Sequence, residues 1–240
     1  MTVTIDGTSG ITTPPTLTLQ AGTATAAPLD FTSGTNLTTA VAGAMEYDGK
    51  VFYATPQGTQ RGVVPGAQFF RLNAGLAGAD VNTAQNVFGV GVTLSGSTVY
   101  AFEAEYILTK TTGSTSHTIG LGFGGTATVN NILYTTHNVY NNAAGGLNNA
   151  ISSGTIVLTS CIINQTTNTT GLSTSSSTNT TIQQRFAIKG TISVNAGGTF
   201  IPQYTCSAAP GGAYTTAAGS YFLIYPIGAS GANVSVGTWA

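Results

Sequence analysis

The sequence predicts an all-β protein, and three observations indicate this fold class. Thr occurs 43 times and Gly 32 times in 240 residues, against only six Lys or Arg and seven Asp or Glu. Several segments alternate apolar and polar residues with a period of two, which is the pattern of a half-buried strand. The 3.5- or 3.6-residue periodicity of coiled coils and helical bundles is missing.

The low charge also restricts the classes of function. Six cations and a net charge of −1 cannot neutralise a run of phosphates, which argues against a nucleic-acid partner. No apolar run approaches the ~20 residues that span a bilayer, so we expect no membrane insertion, and the first residues predict no signal peptide. A surface so poor in charge provides little repulsion between copies, and we therefore expect self-assembly.

Composition divides the chain into three parts. Residues 1–60 are predicted to form an extended arm followed by a β-hairpin, in which residues 16–20 could add a short strand. The arm has too little apolar area for its own core, so it must lie along a sister chain or another protein. Residues 61–95 are a Pro- and Gly-interrupted transition segment. Residues 96–240 are predicted to be the head domain.

The hairpin gives the clearest local signal in the first part. Asp48-Gly49 separates two strand-like runs and favours a type I′ turn, because both central residues of such a turn need a positive φ. A two-residue turn predicts that Tyr47 lies opposite Lys50 and that Met45 lies opposite Phe52. In the transition segment, residues 69–72 are a candidate strand and residues 79–86 a candidate helical turn.

The head domain shows alternation at regular intervals. About eight strands are predicted in ~145 residues, a number that suits a two-sheet jelly roll. In the first of them, one face carries Tyr100, Phe102, Ala104, Tyr106 and Leu108. The predicted strands are Val99–Thr109, Ser116–Phe123, Thr126–Tyr134, Thr155–Ile163, Ile182–Val194, Thr199–Cys206, Ser220–Tyr225 and Asn233–Trp239.

Few residues are candidates for chemistry. Glu103 and Glu105 share one strand face, where they could form a hydrolase pair, a cation site or, as we favour, a solvent face with Lys or Arg nearby. His117 and His137 belong to no ligand spacing or triad, and we interpret both as structural or surface residues. The sequence therefore predicts no catalytic residue, no cofactor and no metal site.

The remaining candidates have structural interpretations too. Residues 120–125 are glycine-rich, but a strand-like segment follows them instead of a helix, which favours close strand packing over phosphate binding. Cys161 and Cys206 could pair if two strands align them, although two reduced, buried thiols are the interpretation we favour. The abundant tyrosines suit a core or an interface better than a sugar site.

Two stretches resemble known families. Leu17–Thr23, Pro28–Thr39 and Ala42–Thr55 resemble a module of tail-fibre and virion-surface proteins of tailed phages, including cyanophages, with Ala40-Val41 replacing the usual Pro-Glu. More weakly, the head is similar to the trimeric jelly-roll heads of the tumour-necrosis-factor and C1q type. The residues that carry this second likeness are Arg185–Gly190, Gly198–Tyr204 and Ala218–Tyr225.

The resemblance implies a homotrimer on the virion surface, assembled in the host cytoplasm. Its arm would dock to other virion proteins, the major capsid or tail proteins, while the jelly-roll head projects outward. Because the chain has no long repetitive shaft, we favour a capsid decoration (cement or head-fibre) protein. The alternatives are a short tail fibre that recognises a host surface glycan, or a depolymerase that uses Glu103 and Glu105. We expect the protein not to be an enzyme.

Overall fold

The computed structural model describes residues 18–141, 161–165, 181–231 and 233–239, and these form strands and connections without a helix. The all-β prediction is therefore confirmed for the described part of the chain. The first seven strands are β1 (Met45–Tyr47), β2 (Phe52–Ala54), β3 (Gly62–Val64), β4 (Gln68–Arg71), β5 (Leu76–Ala77), β6 (Gln85–Asn86) and β7 (Val92–Leu94). The remaining strands are β8 (Thr98–Lys110), β9 (Ile119–Gly124), β10 (Thr128–Asn141), β11 (Cys161–Gln165), β12 (Ile182–Ala196), β13 (Gly198–Cys206), β14 (Thr215–Thr216) and β15 (Tyr221–Ala229).

The strands form a small N-terminal sheet and two larger antiparallel layers. The small sheet has the order β1-β2-β3. The large layer runs β11-β10-β12-β8, and the other edge of β8 pairs with β15 and β14, which in turn pair with β4 and β5. In the second layer, β13 pairs with β9 on one edge and with β6 and β7 on the other. The architecture is sandwich-like.

The core lies between the two layers and is built from the inward face of each strand. Along β8, residues alternate between buried and half-buried over the full length, as the sequence predicts. Phe102 of β8 lies 5.5 Å from Phe123 of β9 and 6.1 Å from Phe200 of β13, measured between ring centroids. These aromatic contacts join the two layers, with edge-on geometries that aromatic pairs favour.

The segment predicted as a transition contributes several strands. Four of them, β4 to β7, pair with strands of the sandwich, and β3 completes the N-terminal sheet. Residues 18–40 carry no strand and are mostly exposed, whereas residues 1–17 of the predicted arm lie outside the described residues. The short strand expected at residues 16–20 is therefore not formed in its described portion, residues 18–20.

Two further local predictions are wrong. Residues 79–86 form bends and the short strand β6 instead of a helical turn, because β6 pairs with β13. Residues 233–239 form no strand: they pair with none of the described strands, and most of their side chains are exposed. The predicted strand at residues 155–163 is described only from Cys161, where β11 begins.

The predicted hairpin forms, but its register differs from the prediction. Tyr47 lies opposite Phe52, not Lys50, and Met45 lies opposite Ala54, not Phe52. The Tyr47 and Phe52 rings stack with centroids 4.5 Å apart. This cross-strand aromatic contact stabilises the observed register.

The Asp48 side chain explains why the turn is longer than predicted. Its Oδ1 accepts hydrogen bonds from the backbone N–H groups of Lys50 (2.7 Å) and Val51 (2.9 Å), and its Oδ2 accepts one from the Tyr53 hydroxyl (2.8 Å). Burial alone would raise the pKa of Asp48, but these hydrogen bonds outweigh it and lower the pKa. Gly49 alone has a positive φ, +87°, so the turn is not type I′.

Three polar contacts fix the N-terminal sheet in place. The Lys50 Nζ donates to the Gly96 carbonyl oxygen (2.9 Å), which ties the hairpin to the sandwich. The Arg61 guanidinium binds both carboxylate oxygens of Glu46, at 2.7 and 3.1 Å, and donates to the Leu37 carbonyl oxygen at 2.7 Å. The arm, the hairpin and the segment that leads to β3 are thereby held together.

Gly190 offers a test of how tightly the large layer is packed. A Cβ at this position in β12 would collide with the Leu133 carbonyl oxygen and would lie 2.6 Å from the Tyr134 Cβ of neighbouring β10. We expect Gly190→Ala to lower the free energy of unfolding by ~1–3 kcal/mol, the usual cost of overpacking. Gly66→Ala is the matched control because a Cβ there has no atom within 4 Å. Equal urea midpoints for the two variants would contradict the packing described here.

Candidate functional site

Glu103 and Glu105 lie on the outward face of the large layer, as the alternation predicts. Glu103 is directly opposite Lys189 of β12, and Glu105 is directly opposite Ala187. The Glu105 Oε1 accepts a hydrogen bond from the Arg185 Nε at 2.8 Å. This hydrogen bond lowers the pKa of Glu105 against the smaller, opposing effect of burial.

This arrangement is that of a solvent face. Both members of the Glu105–Arg185 pair are more than a third exposed, so the pair contributes little to stability. Among the described residues, no three His, Cys, Asp or Glu side chains lie close enough together to hold a metal ion. The geometry therefore favours the solvent-face interpretation of the two glutamates.

His117 lies in a buried polar contact at one end of the sandwich. Its Nδ1 is 2.7 Å from the Thr115 carbonyl oxygen, and its Nε2 is 2.7 Å from the Tyr214 hydroxyl. A carbonyl oxygen only accepts, so Nδ1 carries the proton and the neutral ring accepts the Tyr214 O–H at Nε2. Burial lowers the pKa of His117, the Thr115 carbonyl opposes the shift, and nearby Lys110 adds to it. His137 is exposed on β10.

Lys110 and Cys206 are buried in the same region. The Lys110 Nζ donates to the carbonyl oxygens of Gly113 (3.0 Å) and Pro210 (3.2 Å), which joins two connections of the sandwich. Cys206 is a free thiol, and its burial raises its pKa to about 11 although the Lys110 charge opposes this shift. The thiolate form of Cys206 is therefore disfavoured, as in a structural cysteine, whereas the side chain of Cys161 lies outside the described residues.

The glycine-rich segment is a strand. Residues 119–124 form β9, which pairs with β13 along its whole length, and β10 follows after a short turn. A Cβ at Gly124 would meet the Gln203 side chain, so the segment is packed against its neighbour. No helix follows it to supply the N–H groups of a phosphate site.

An apolar surface feature is present where β4 borders the sandwich. It is a groove of about 290 Å³, which we call the β4 groove. Phe69, Phe70 and Val90 are 60%, 39% and 47% exposed at its rim. Its inner walls include Phe88, Pro202 and Phe222.

The β4 groove lies at a sheet edge. Among the described strands, β4 pairs only with β15, so its other edge carries unpaired backbone groups. The Phe70 ring packs edge-on against Phe88 at 6.1 Å, and the Phe69 ring stacks on Tyr221 at 5.6 Å. An exposed edge strand with aromatic side chains is a surface on which another chain can pair and pack.

The sequence predicted a strand at Phe69 and Phe70 but not their exposure. Two successive apolar residues indicate a strand buried on both faces as readily as an exposed edge. The signal that could have separated the two cases is the short length of the strand between Pro65 and the Asn73-Ala74-Gly75 turn, which is typical of an edge.

Comparisons of the chain with protein-family models, with curated proteins and with solved structures return no match. The described part of the chain has no helix long and apolar enough to cross a membrane.

The buried His117 predicts an acid-sensitive fold. Because its pKa is lowered on folding, the neutral ring stabilises the native state fully above the unfolded value of about 6.5. This contribution is lost as the pH falls from about 6.5 through the folded pKa, with a slope of at most ~1.4 kcal/mol per pH unit. The carboxylates Asp48 and Glu105 lose their contributions only at lower pH.

Urea unfolding at fixed protein concentration and a series of pH values between 7.5 and 5 measures this slope. We expect His117→Gln to flatten it over this range, because the variant has no imidazole to protonate. His137→Gln changes the exposed histidine and serves as the control. A slope that survives in His117→Gln would assign the acid sensitivity to another group.

Proposed function

We propose that the protein is a homotrimeric structural protein on the surface of a tailed-phage virion, most simply a capsid decoration protein. The observation that carries this proposal is the β4 groove, an apolar free edge on a chain with little charge to keep copies apart. The resemblance of the segments between Leu17 and Thr55 to a phage module supports the virion assignment.

The strand order supports a jelly-roll head. One layer has β4-β15-β8-β12 and the other has β6 and β7 beside β13 and β9. The chain crosses between the layers after β8, after β9 and after β12, which is the connectivity that a two-sheet roll needs. This order agrees with the resemblance to trimeric jelly-roll heads.

The surroundings of the candidate carboxylates support a structural role over a hydrolytic one. Glu105 is paired with Arg185, and the pair lies on an open sheet face instead of in a cleft. The interface would gain from burying Phe69, Phe70 and Val90, because apolar burial contributes about 25 cal/mol per Å² before the cost of association.

The assembly is tested by multi-angle light scattering on the purified chain. We expect a mass three times that of one chain, and we expect Phe69→Asp to reduce it to that of one chain because an unpaired carboxylate would be buried in the interface. Phe69 is 60% exposed, so the variant should keep its strand content in circular dichroism. Leu133→Asp, at a residue 45% exposed on β10 and separated from β4 by β12, β8 and β15, is the matched control and should stay trimeric. A wild-type monomer at micromolar concentration would refute the trimer.

Placement on the particle is tested by copy number. A decoration protein should be present in many trimers per particle, in proportion to the major capsid protein, when purified virions are quantified by mass spectrometry. A few trimers per particle would instead assign the protein to the tail. Its absence from washed virions would refute the virion assignment.

A further inference from the structure

A polar cavity lies where three distant parts of the chain meet. It has a volume of about 450 Å³, within the ~300–1,000 Å³ range of small-molecule sites, and we call it the junction cavity. The arm, the hairpin region and the C-terminal segment each contribute to its walls. Its lining includes Asn36, Thr38, Thr59, Arg61 and Ser235.

The cavity contains a cation whose charge is already compensated. The Arg61 guanidinium lies 2.7 Å (Nε to Oε2) and 3.1 Å (Nη2 to Oε1) from the carboxylate oxygens of Glu46, and its Nη2 also donates to the Leu37 carbonyl oxygen. Both members of the pair are largely buried, with side chains 21% and 10% exposed. The cavity therefore offers hydrogen-bonding groups without a net charge, which suits a neutral polar ligand better than a phosphate or sulfate.

Asn36 lines the cavity and carries an unsatisfied acceptor. Its Oδ1 is buried and has no hydrogen-bond partner among the residues that the structure describes, although buried polar groups are nearly always paired. The hydroxyls of Thr38, Thr59 and Ser235 belong to the same lining. A ligand that carries several hydroxyl groups would pair with these side chains and, once the Asn36 side chain turns toward the cavity, with its amide.

An aromatic ring stands beside the cavity. Trp239 is the only Trp of the chain and is 81% exposed, so its indole faces are open. Its Nε1 donates to the Val236 carbonyl oxygen at 2.7 Å, which fixes the indole on the C-terminal segment. A Cβ at Gly237, a residue of the cavity lining, would lie 3.6 Å from this Nε1 and 3.8 Å from the Arg61 carbonyl oxygen, so the indole and the Arg61 backbone both flank Gly237.

We propose that the junction cavity binds a neutral saccharide. Sugar hydroxyls would hydrogen-bond to Asn36 and to the threonine and serine hydroxyls, and the C–H face of the ring would stack on Trp239. The compensated Arg61 disfavours anions, and the polar lining disfavours purely apolar ligands. The inference does not depend on the trimer or on the virion assignment, because the residues that form the site belong to a single chain.

The single Trp makes the test direct. The wild-type protein is titrated with glucose, galactose, mannose, N-acetylglucosamine, maltose and lactose while Trp emission is followed, and binding is checked by saturation-transfer NMR on the sugar. We expect a saturable emission change with at least one of these sugars. The proposal is overturned if none of them produces it. It is equally overturned if sodium sulfate or phosphate at matched ionic strength binds more tightly than every sugar.

Variants assign the binding to this cavity. We expect Asn36→Ala and Thr59→Val each to weaken the affinity roughly tenfold, the loss that one hydrogen bond to the ligand would cause. Trp239→Ala should abolish the saturation-transfer signal. Asn82→Ala changes an exposed asparagine outside the cavity and should bind as the wild type does. Unchanged affinity in both Asn36→Ala and Thr59→Val, with folding verified by circular dichroism, would overturn the assignment.

The two proposals fail separately. A chain that binds sugar and scatters light as a monomer would refute the trimer and leave the saccharide site standing. A trimer whose Trp emission does not respond to any sugar would refute the saccharide site and leave the trimer standing.

Discussion

The packing of β8 between its neighbours is the constraint on which the rest of the molecule depends. β8 is paired along both edges, and its inward residues form the middle of the core. Phe102 contacts rings from three other strands: Phe123, Phe200 and Phe222. The Phe102 side chain thus joins both layers. Because β15 pairs with β8 and β4 pairs with the far edge of β15, the position of β8 also determines where the aromatic residues of β4 meet solvent.

Charge is scarce in this chain, and the charged side chains have specific structural uses. Lys50 and Lys110 donate to backbone carbonyl oxygens between segments far apart in sequence. Arg61 and Glu46 hold the arm against the hairpin, and Asp48 forms its turn. These contacts hold separate segments of the chain together. A larger set of surface ion pairs would add little stability, since exposed pairs contribute little. The solvated surface is left mainly to Thr, Ser and Gly, and repulsion between copies is weak.

The sequence predicts the long strands well because burial of one face imposes an alternation with a period of two. Residues 98–110 and 182–196 show this alternation over many residues. It does not predict β5, β6 or β14, since strands of two residues are defined by their partners. The hairpin register was missed because the Asp48 side chain replaces the expected backbone turn. Beyond the shortness of β4, neither the β4 groove nor the junction cavity has a local signal, because the walls of each come from segments distant in sequence.

The low content of charged residues accounts for both the β4 groove and the junction cavity, although one surface is apolar and the other is polar. No charged side chain of the described residues lines the β4 groove, and Arg71 lies only at the end of β4, so the proposed burial of Phe69, Phe70 and Val90 against a second copy would meet little electrostatic opposition. At the junction cavity, hydroxyl and amide groups take the places that Lys and Glu occupy in most proteins, and the one cation, Arg61, is compensated by Glu46. The proposed assembly through the apolar edge would leave the proposed polar site accessible, because the two surfaces use different residues.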